Sequence, residues 1–205
     1  MKIAIIDYGM GNLRSVEKAF HKVGATGAFV TSNSREVADA DKAVLPGDGT
    51  FDSTMRSLRD SGVDMIAHEF VASGRPFLGI CVGMQVLLTE SEEGEQGVRG
   101  LDIIPGRVRK FPPATGLKVP QIGWNDIVFT PGTPLGEGQT HAQPMAYFLN
   151  SFYCAPDDLS DVAATTDYGF PFCSALCRGN VWATQFHPEK SGQVGLAILS
   201  NFARA

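Results

Sequence analysis

The chain opens on Lys2-Ile3-Ala4-Ile5-Ile6-Asp7, an apolar run of strand length that Gly9 and Gly11 bring to an end. Apolar side chains then recur at Leu13, Val16, Phe20 and Val23. That spacing puts them on one face of a helix, which Asn12 is placed to cap and Gly24 to stop. Residues 42–45 repeat the buried-strand pattern and end at Pro46-Gly47. Val63, Ile66, Ala67, Phe70 and Val71 mark a second amphipathic helix, closed by Gly74. Residues 76–80 form a third apolar strand, followed by Cys81 and a helical stretch through Val86, Leu87 and Leu88. Strand and helix alternating in this way predict an α/β fold with a central, mostly parallel sheet and helices on both faces.

From Arg107 onward the texture changes. Short candidate strands at 107–111, 126–130, 147–153, 162–166, 172–177 and 181–186 sit between Gly/Pro turns. They predict antiparallel strand additions at the sheet edge in the C-terminal half. Residues 192–202 close the chain as a helix. No internal repeat, linker or low-complexity tract interrupts the pattern, so residues 1–205 read as a single domain.

Composition narrows the function. With 43% of 205 residues hydrophobic, the chain can build a core without disulfide or metal staples. Seventeen basic against 22 acidic residues give a net charge of −5, and no Lys/Arg cluster stands out. That argues against a nucleic-acid or anionic-membrane surface. No apolar run approaches the roughly 20 residues a membrane span needs. The first residues are too short for a signal segment. Cys81, Cys154, Cys173 and Cys177 are spaced irregularly, unlike a secreted disulfide scaffold. A reducing, cytoplasmic setting is the simplest expectation. Cys173 and Cys177 lack a second ligand pair, so no metal is expected. Gly9-Met10-Gly11 begins like a dinucleotide loop, but Arg14 stands where the third glycine belongs, so no cofactor is expected either.

Gly79-Ile80-Cys81-Val82-Gly83 lies where a buried strand gives way to a helix, the cysteine counterpart of a nucleophile elbow. Such a turn lifts Cys81 to a helix N-terminus, whose free N–H groups favour thiolate. The Val82 N–H is then placed to donate to an oxyanion. A free cysteine is by default a small buried hydrophobe, but the strand-to-helix position and both glycines favour the nucleophile. Cys154 reads as core.

A thiol nucleophile needs a base that returns its proton to the leaving group. His21 and His68 lie on helices beside Lys22 and Glu69 and read as solvated, and His141 reads as loop. His187 follows the last strand and precedes Pro188-Glu189. Proline biases His187 toward extended backbone. In an extended segment residues two apart share a side, so Glu189 can reach the imidazole and orient it. An ordinary surface His–Glu pair is the alternative.

Cys81 in Gly-Ile-Cys-Val-Gly-Met-Gln, with Phe186-His187-Pro188-Glu189-Lys190-Ser191, resembles the class I (triad) glutamine amidotransferases. Residues 6–13, Leu45-Pro46-Gly47, Ile104-Pro105-Gly106-Arg107-Val108, Ile122-Gly123-Trp124-Asn125 and Tyr147-Phe148 are similar to the glutaminase subunits of imidazole glycerol phosphate synthases. The resemblance implies that Cys81 attacks the side-chain amide of glutamine while His187, oriented by Glu189, protonates the departing ammonia. It implies an oxyanion hole from Val82 and the backbone of Gly47, Asp48 and Gly49. Gly49, Gln85 and the main chain at Asn150, Ser151 and Phe152 would hold the substrate. It further implies docking on a (β/α)8-barrel cyclase subunit through Met10, Asn12, Gln121, Trp124, Asn125 and Lys190, with ammonia passing into the barrel in histidine biosynthesis.

Three positions depart from the family pattern. Asp48 stands where the family usually has valine, and a carboxylate beside a developing oxyanion opposes it unless it points away. Asn150 and Phe152 replace a histidine and a tyrosine. A stand-alone cysteine hydrolase, or a non-catalytic regulatory subunit on the same fold, are the rival readings.

Overall fold

The computed structural model describes residues 1–94, 97–112 and 118–205. In chain order the first half comprises β1 (Ile3–Ile6), α1 (Leu13–Lys22), β2 (Ala28–Thr31), α2 (Ser34–Ala38), β3 (Lys42–Gly47), α3 (Phe51–Asp60), α4 (Val63–Ala72), β4 (Phe77–Cys81) and α5 (Val82–Gln85). The second half comprises β5 (Glu90–Ser91), β6 (Gly106–Lys110), β7 (Gln121–Asp126), β8 (Val128–Phe129), β9 (Met145–Asn150), β10 (Phe152–Pro156), β11 (Val162–Asp167), β12 (Pro171–Arg178), β13 (Val181–Thr184) and α6 (Gly192–Arg204).

β1, β3, β4 and β13 are buried at every position, because strands covered on both faces have no use for alternation. They run parallel in the order β2-β1-β3-β4-β13, and β12, β10 and β6 extend the sheet antiparallel. The path steps one way from β1 to β2 and the other way from β2 to β3. Right-handed crossovers therefore put α1 on one face and α2 to α4 on the other. α6 joins α1, with Phe202 packed on Phe20 and Trp182 at ring distances of 6.2 and 5.6 Å.

Several boundaries differ from the sequence expectation, each for a local reason. β2, α2 and α3 have no counterpart in the sequence pattern. α3 is betrayed only by buried Phe51, Met55 and Leu58 and by a Thr50–Ser53 capping box. β3 does not end at Leu45 but runs through Pro46-Gly47. The Pro46 carbonyl accepts from Tyr8 on the side where β1 has already ended, so the missing proline N–H breaks no ladder bond. Asn12 stands at the N-cap of α1, yet its side chain makes no cap bond, because its ψ of 61° turns it away from the extended cap geometry. α5 is one turn, not a helix through Leu88. The carbonyls of Val86, Leu87 and Leu88 accept instead from the backbone of residues 101–104, which draws the chain out of the helix.

The expected strand at 147–153 is two strands. β9 pairs with β7 in a separate antiparallel ribbon, while β10 rejoins the main sheet. Residues 122–125 form the middle of β7, and the strand expected at 126–130 is reduced to β8. The chain thus switches sheets at 150–152, beside the C-terminal ends of β3, β4 and β13. Open α/β sheets place their sites at that end of the strands.

Candidate active site

Cys81 ends β4 with φ 57° and ψ −115°, a conformation that L-residues with a Cβ avoid. The fold enforces it by bringing the β4–α5 turn against β3 with almost no gap. A Cβ on Gly47 would lie 2.1 Å from Gly83 N, and one on Gly83 would lie 2.0 Å from Leu45 O. Because α5 is a single turn, the field at the sulfur comes from its few free N–H groups and not from a long helix dipole. The Val82 N–H, first in that turn, has no acceptor within the helix.

His187 lies across from the sulfur. Its backbone N–H donates to Tyr147 O at 3.0 Å, and Ser191 Oγ donates to its carbonyl at 2.6 Å. The ring is buried between Cys81 and Glu189, with Nδ1 2.9 Å from Glu189 Oε1. Nε2 is therefore the nitrogen that faces the sulfur. Burial disfavours the imidazolium, but the hydrogen bonds and charges of Cys81 and Glu189 outweigh it and push His187 up to about 10. The route by which Glu189 arrives differs from the expected one. Residues 188–190 form a 3-10 turn, so the carboxylate folds back beneath the ring and does not run parallel to it along a strand.

Cys81, Val82, Gln85, Asp48, Gly49, Asn150, Ser151, Phe152 and His187 line one cleft of about 230 Å³. That is small beside the pockets of drug-sized ligands and suits a single amino acid. Gln85 gives its amide hydrogens to Gln185 Oε1 at 3.1 Å and Phe152 O at 3.4 Å, leaving its carbonyl oxygen to a ligand. The sequence reading missed Glu93. Its Oε2 accepts the Phe51 N–H at 2.8 Å at the start of α3, and burial raises its carboxyl above the usual range. No motif marks it; only the fold carries it to the cleft.

Asp48 points neither fully away nor at the sulfur. Its carboxylate accepts the Gly49 N–H at 2.8 Å, while Thr54 Oγ1 donates to its carbonyl at 3.2 Å. One of the expected oxyanion donors is thus occupied by a negative charge. Asp48→Val frees that N–H and removes the charge. Catalytic turnover is expected to rise by up to about tenfold, the equivalent of ~1.4 kcal/mol. Asp48→Asn, which keeps an acceptor without the charge, should give a smaller gain, and equal rates in steady-state assays would refute the charge effect.

The remaining sequence candidates scatter as follows. Trp124 and Lys190 are exposed, Asn12 is exposed, and Met10 and Asn125 are half-buried. Gln121 is fully buried, its Nε2 bonded to Asn125 Oδ1, so it cannot present itself on the surface. Cys154 is buried and its thiol is pushed up by burial; Cys173 is pushed up to about 12 by the same cause. His21 and His68 are exposed, although His21 Nε2 sits 2.8 Å from Ala28 O. Among the described residues there is no His/Cys/Asp/Glu cluster able to hold a metal. No helix among them is long and apolar enough to cross a membrane.

Comparison with known proteins gives a concordant result. The family profile described as glutamine amidotransferase class-I matches residues 4–205. The imidazole glycerol phosphate synthase subunit HisH of Syntrophotalea carbinolica is 54% identical over 205 residues, covering 98% of both chains. Its counterpart in Geobacter sulfurreducens is 50% identical over 207 residues, covering 98% of this chain and 97% of the relative. Among solved structures, that of PurLQS from Thermotoga maritima superposes with a TM-score of 0.72 at 16% identity, covering 99% of this chain and 97% of that one, and so speaks to the fold.

Proposed function

The chain belongs to the class-I glutamine amidotransferase family, and we propose that it is the glutaminase subunit of an imidazole glycerol phosphate synthase, passing ammonia to a (β/α)8-barrel cyclase subunit in histidine biosynthesis. The observation that carries the chemistry is the Cys81–His187–Glu189 line inside a cleft with room for one amino acid. With His187 pushed up to about 10, the ring is protonated at neutral pH and holds the proton that the leaving group needs. Sγ attacks the side-chain amide carbon of glutamine, and the oxyanion that forms meets the Val82 N–H and the backbone of 47–49. His187 gives its Nε2 proton to the amide nitrogen, the C–N bond breaks and ammonia leaves. Water, giving a proton back to His187, attacks the thioester carbon; the C–S bond breaks and glutamate departs. Glutamine and water have become glutamate and ammonia, and the Cys81 sulfur is free again. Glu93 and the free oxygen of Gln85 suit the substrate's α-ammonium, and the backbone at 150–152 suits its α-carboxylate.

Ammonia released into water becomes mostly ammonium, which is no nucleophile, so the site must open onto a partner. The β7–β9 ribbon supplies the surface. Ile122 and Leu149 face each other across it, as do Trp124 and Tyr147, and Ile122, Trp124, Leu149 and Met145 are 60%, 51%, 41% and 41% exposed. Leu149 also lines the cleft, so this apolar patch is continuous with the site. The test is glutamate release with and without the cyclase subunit, together with Trp124→Asp and Ile122→Asp. Release stimulated by the partner is expected, with assembly weakened by about a hundredfold in the double variant. Turnover of peptides or esters without partner would instead identify a stand-alone hydrolase, and assembly indifferent to the ribbon would place the interface elsewhere.

A further inference from the structure

Gln185 lies between β13 and His187, fully buried, with its backbone N–H donating to Ser174 O at 2.9 Å. Its side-chain amide has a defined sense. Gln85 Nε2 donates to its oxygen at 3.1 Å, and the reverse orientation would set two NH2 groups against each other. The Gln185 nitrogen is thereby turned to Cys81 Sγ, 4.0 Å away, a long contact that sulfur's size accommodates. Leu149 O lies 3.9 Å from the same sulfur and accepts from it. The two neighbours pull the thiol in opposite directions. A carbonyl can only accept, so Leu149 favours the neutral thiol; an amide N–H can only donate, so Gln185 favours the thiolate.

We propose that Gln185 is a positioning residue of the glutaminase, its N–H holding the Cys81 sulfur and its carbonyl holding Gln85, so that one buried amide ties the nucleophile to the substrate-facing wall of the cleft. This deepens the glutaminase reading and rests on it for kinetics, but not for the sulfur chemistry. The other titratable groups around the sulfur are His187, Tyr8 and Cys154, with the carboxylates of Asp48 and Glu93 on the same cleft wall. Tyr8 and Cys154 are both raised by burial and so stay neutral near pH 8. Among the described residues, His187 is the cation beside the sulfur and Gln185 the side-chain amide that donates to it.

The experiment follows alkylation of Cys81 by iodoacetamide against pH, read by mass spectrometry of the Cys81 peptide, in wild type, Gln185→Glu and Gln185→Met. Glutaminase kcat and KM are measured alongside with the cyclase partner present. Gln185→Glu keeps the shape but sets a carboxylate against the sulfur. Its alkylation midpoint is expected to rise by about one pH unit or more, and kcat at pH 8 to fall about a hundredfold. Lowering the pH should recover part of that loss, because a neutral carboxyl can donate again. Gln185→Met should lower kcat about tenfold and raise KM severalfold, since both amide bonds go. Wild-type alkylation midpoints in both variants, whatever their activity or melting temperature, would overturn the proposal. Should neither variant fold, the Gln185 side-chain amide resonances of the wild type must titrate with the Cys81 midpoint, and indifference to it overturns the proposal equally. The alkylation profile needs no glutamine, so it stands apart from any failure of the glutaminase reading.

Discussion

Cys81→Ala abolishes glutamate release, by at least about 10⁴-fold, because the covalent route vanishes with the sulfur and no other thiol can replace it. Cys154 and Cys173 are buried and held protonated, and Cys177, also raised by burial, sits on β12 outside the cleft. The same substitution should leave folding almost untouched. Alanine meets the same positive φ as cysteine did, and only one heavy atom is lost from a site at the cleft wall. The melting temperature and the assembly with the cyclase subunit should therefore stay near wild type. That combination separates chemistry from stability. Ammonia production assayed enzymatically, beside a thermal melt, reads both. Glutamate release that survives the alanine removes the thioester mechanism, whereas loss of activity together with a large drop in melting temperature would reassign Cys81 to the core.

What the sequence reveals and hides follows from where the information is stored. The central strands are legible because burial on both faces makes them uninterrupted apolar runs, as at Ile3–Ile6 and Phe77–Cys81. The elbow is legible because its sterics demand glycine at 79 and 83 around a strained Cys81. His187 and Glu189 are legible as neighbours, and His187 is extended as the following proline predicts, but 188–190 turn as a 3-10 helix, which brings Glu189 to the ring by a different path. β2 and α2 are four and five residues long, too short for either periodicity to register. Glu93 reaches the site through a contact 42 positions away in sequence, with Phe51, and Gln185, two residues before His187, meets Cys81 across 104 positions. Gln121 shows the converse: a family position expected at an interface is covered by its own ribbon and bonded to Asn125.

Glu189→Gln is the second large effect, and it carries a pH signature. The carboxylate sits with its side chain 1% exposed and one oxygen 2.9 Å from His187 Nδ1, so it both orients the ring and supports its charge. Glutamine removes the charge, and its amide can turn either end to the ring. With the oxygen inward the tautomer survives; with the NH2 inward Nδ1 must accept, and Nε2 carries the proton when it should be free to take one. A fall in kcat of about 10²- to 10⁴-fold is expected, the upper end marking the wrong tautomer, with little change in KM. The stability effect has a fixed sign. His187 is raised from 6.5 to about 10 in the folded protein, so its imidazolium stabilises the fold fully below pH 6.5, and that contribution is lost as pH climbs toward 10. Without the Glu189 charge the folded value drops toward 6.5. The melting-temperature gap between wild type and variant should be widest near pH 6 and close by about pH 10. A gap independent of pH would mean that Glu189 acts by packing alone. A His187 ring that titrates at the same pH in both proteins would show that Cys81, not Glu189, holds the imidazolium.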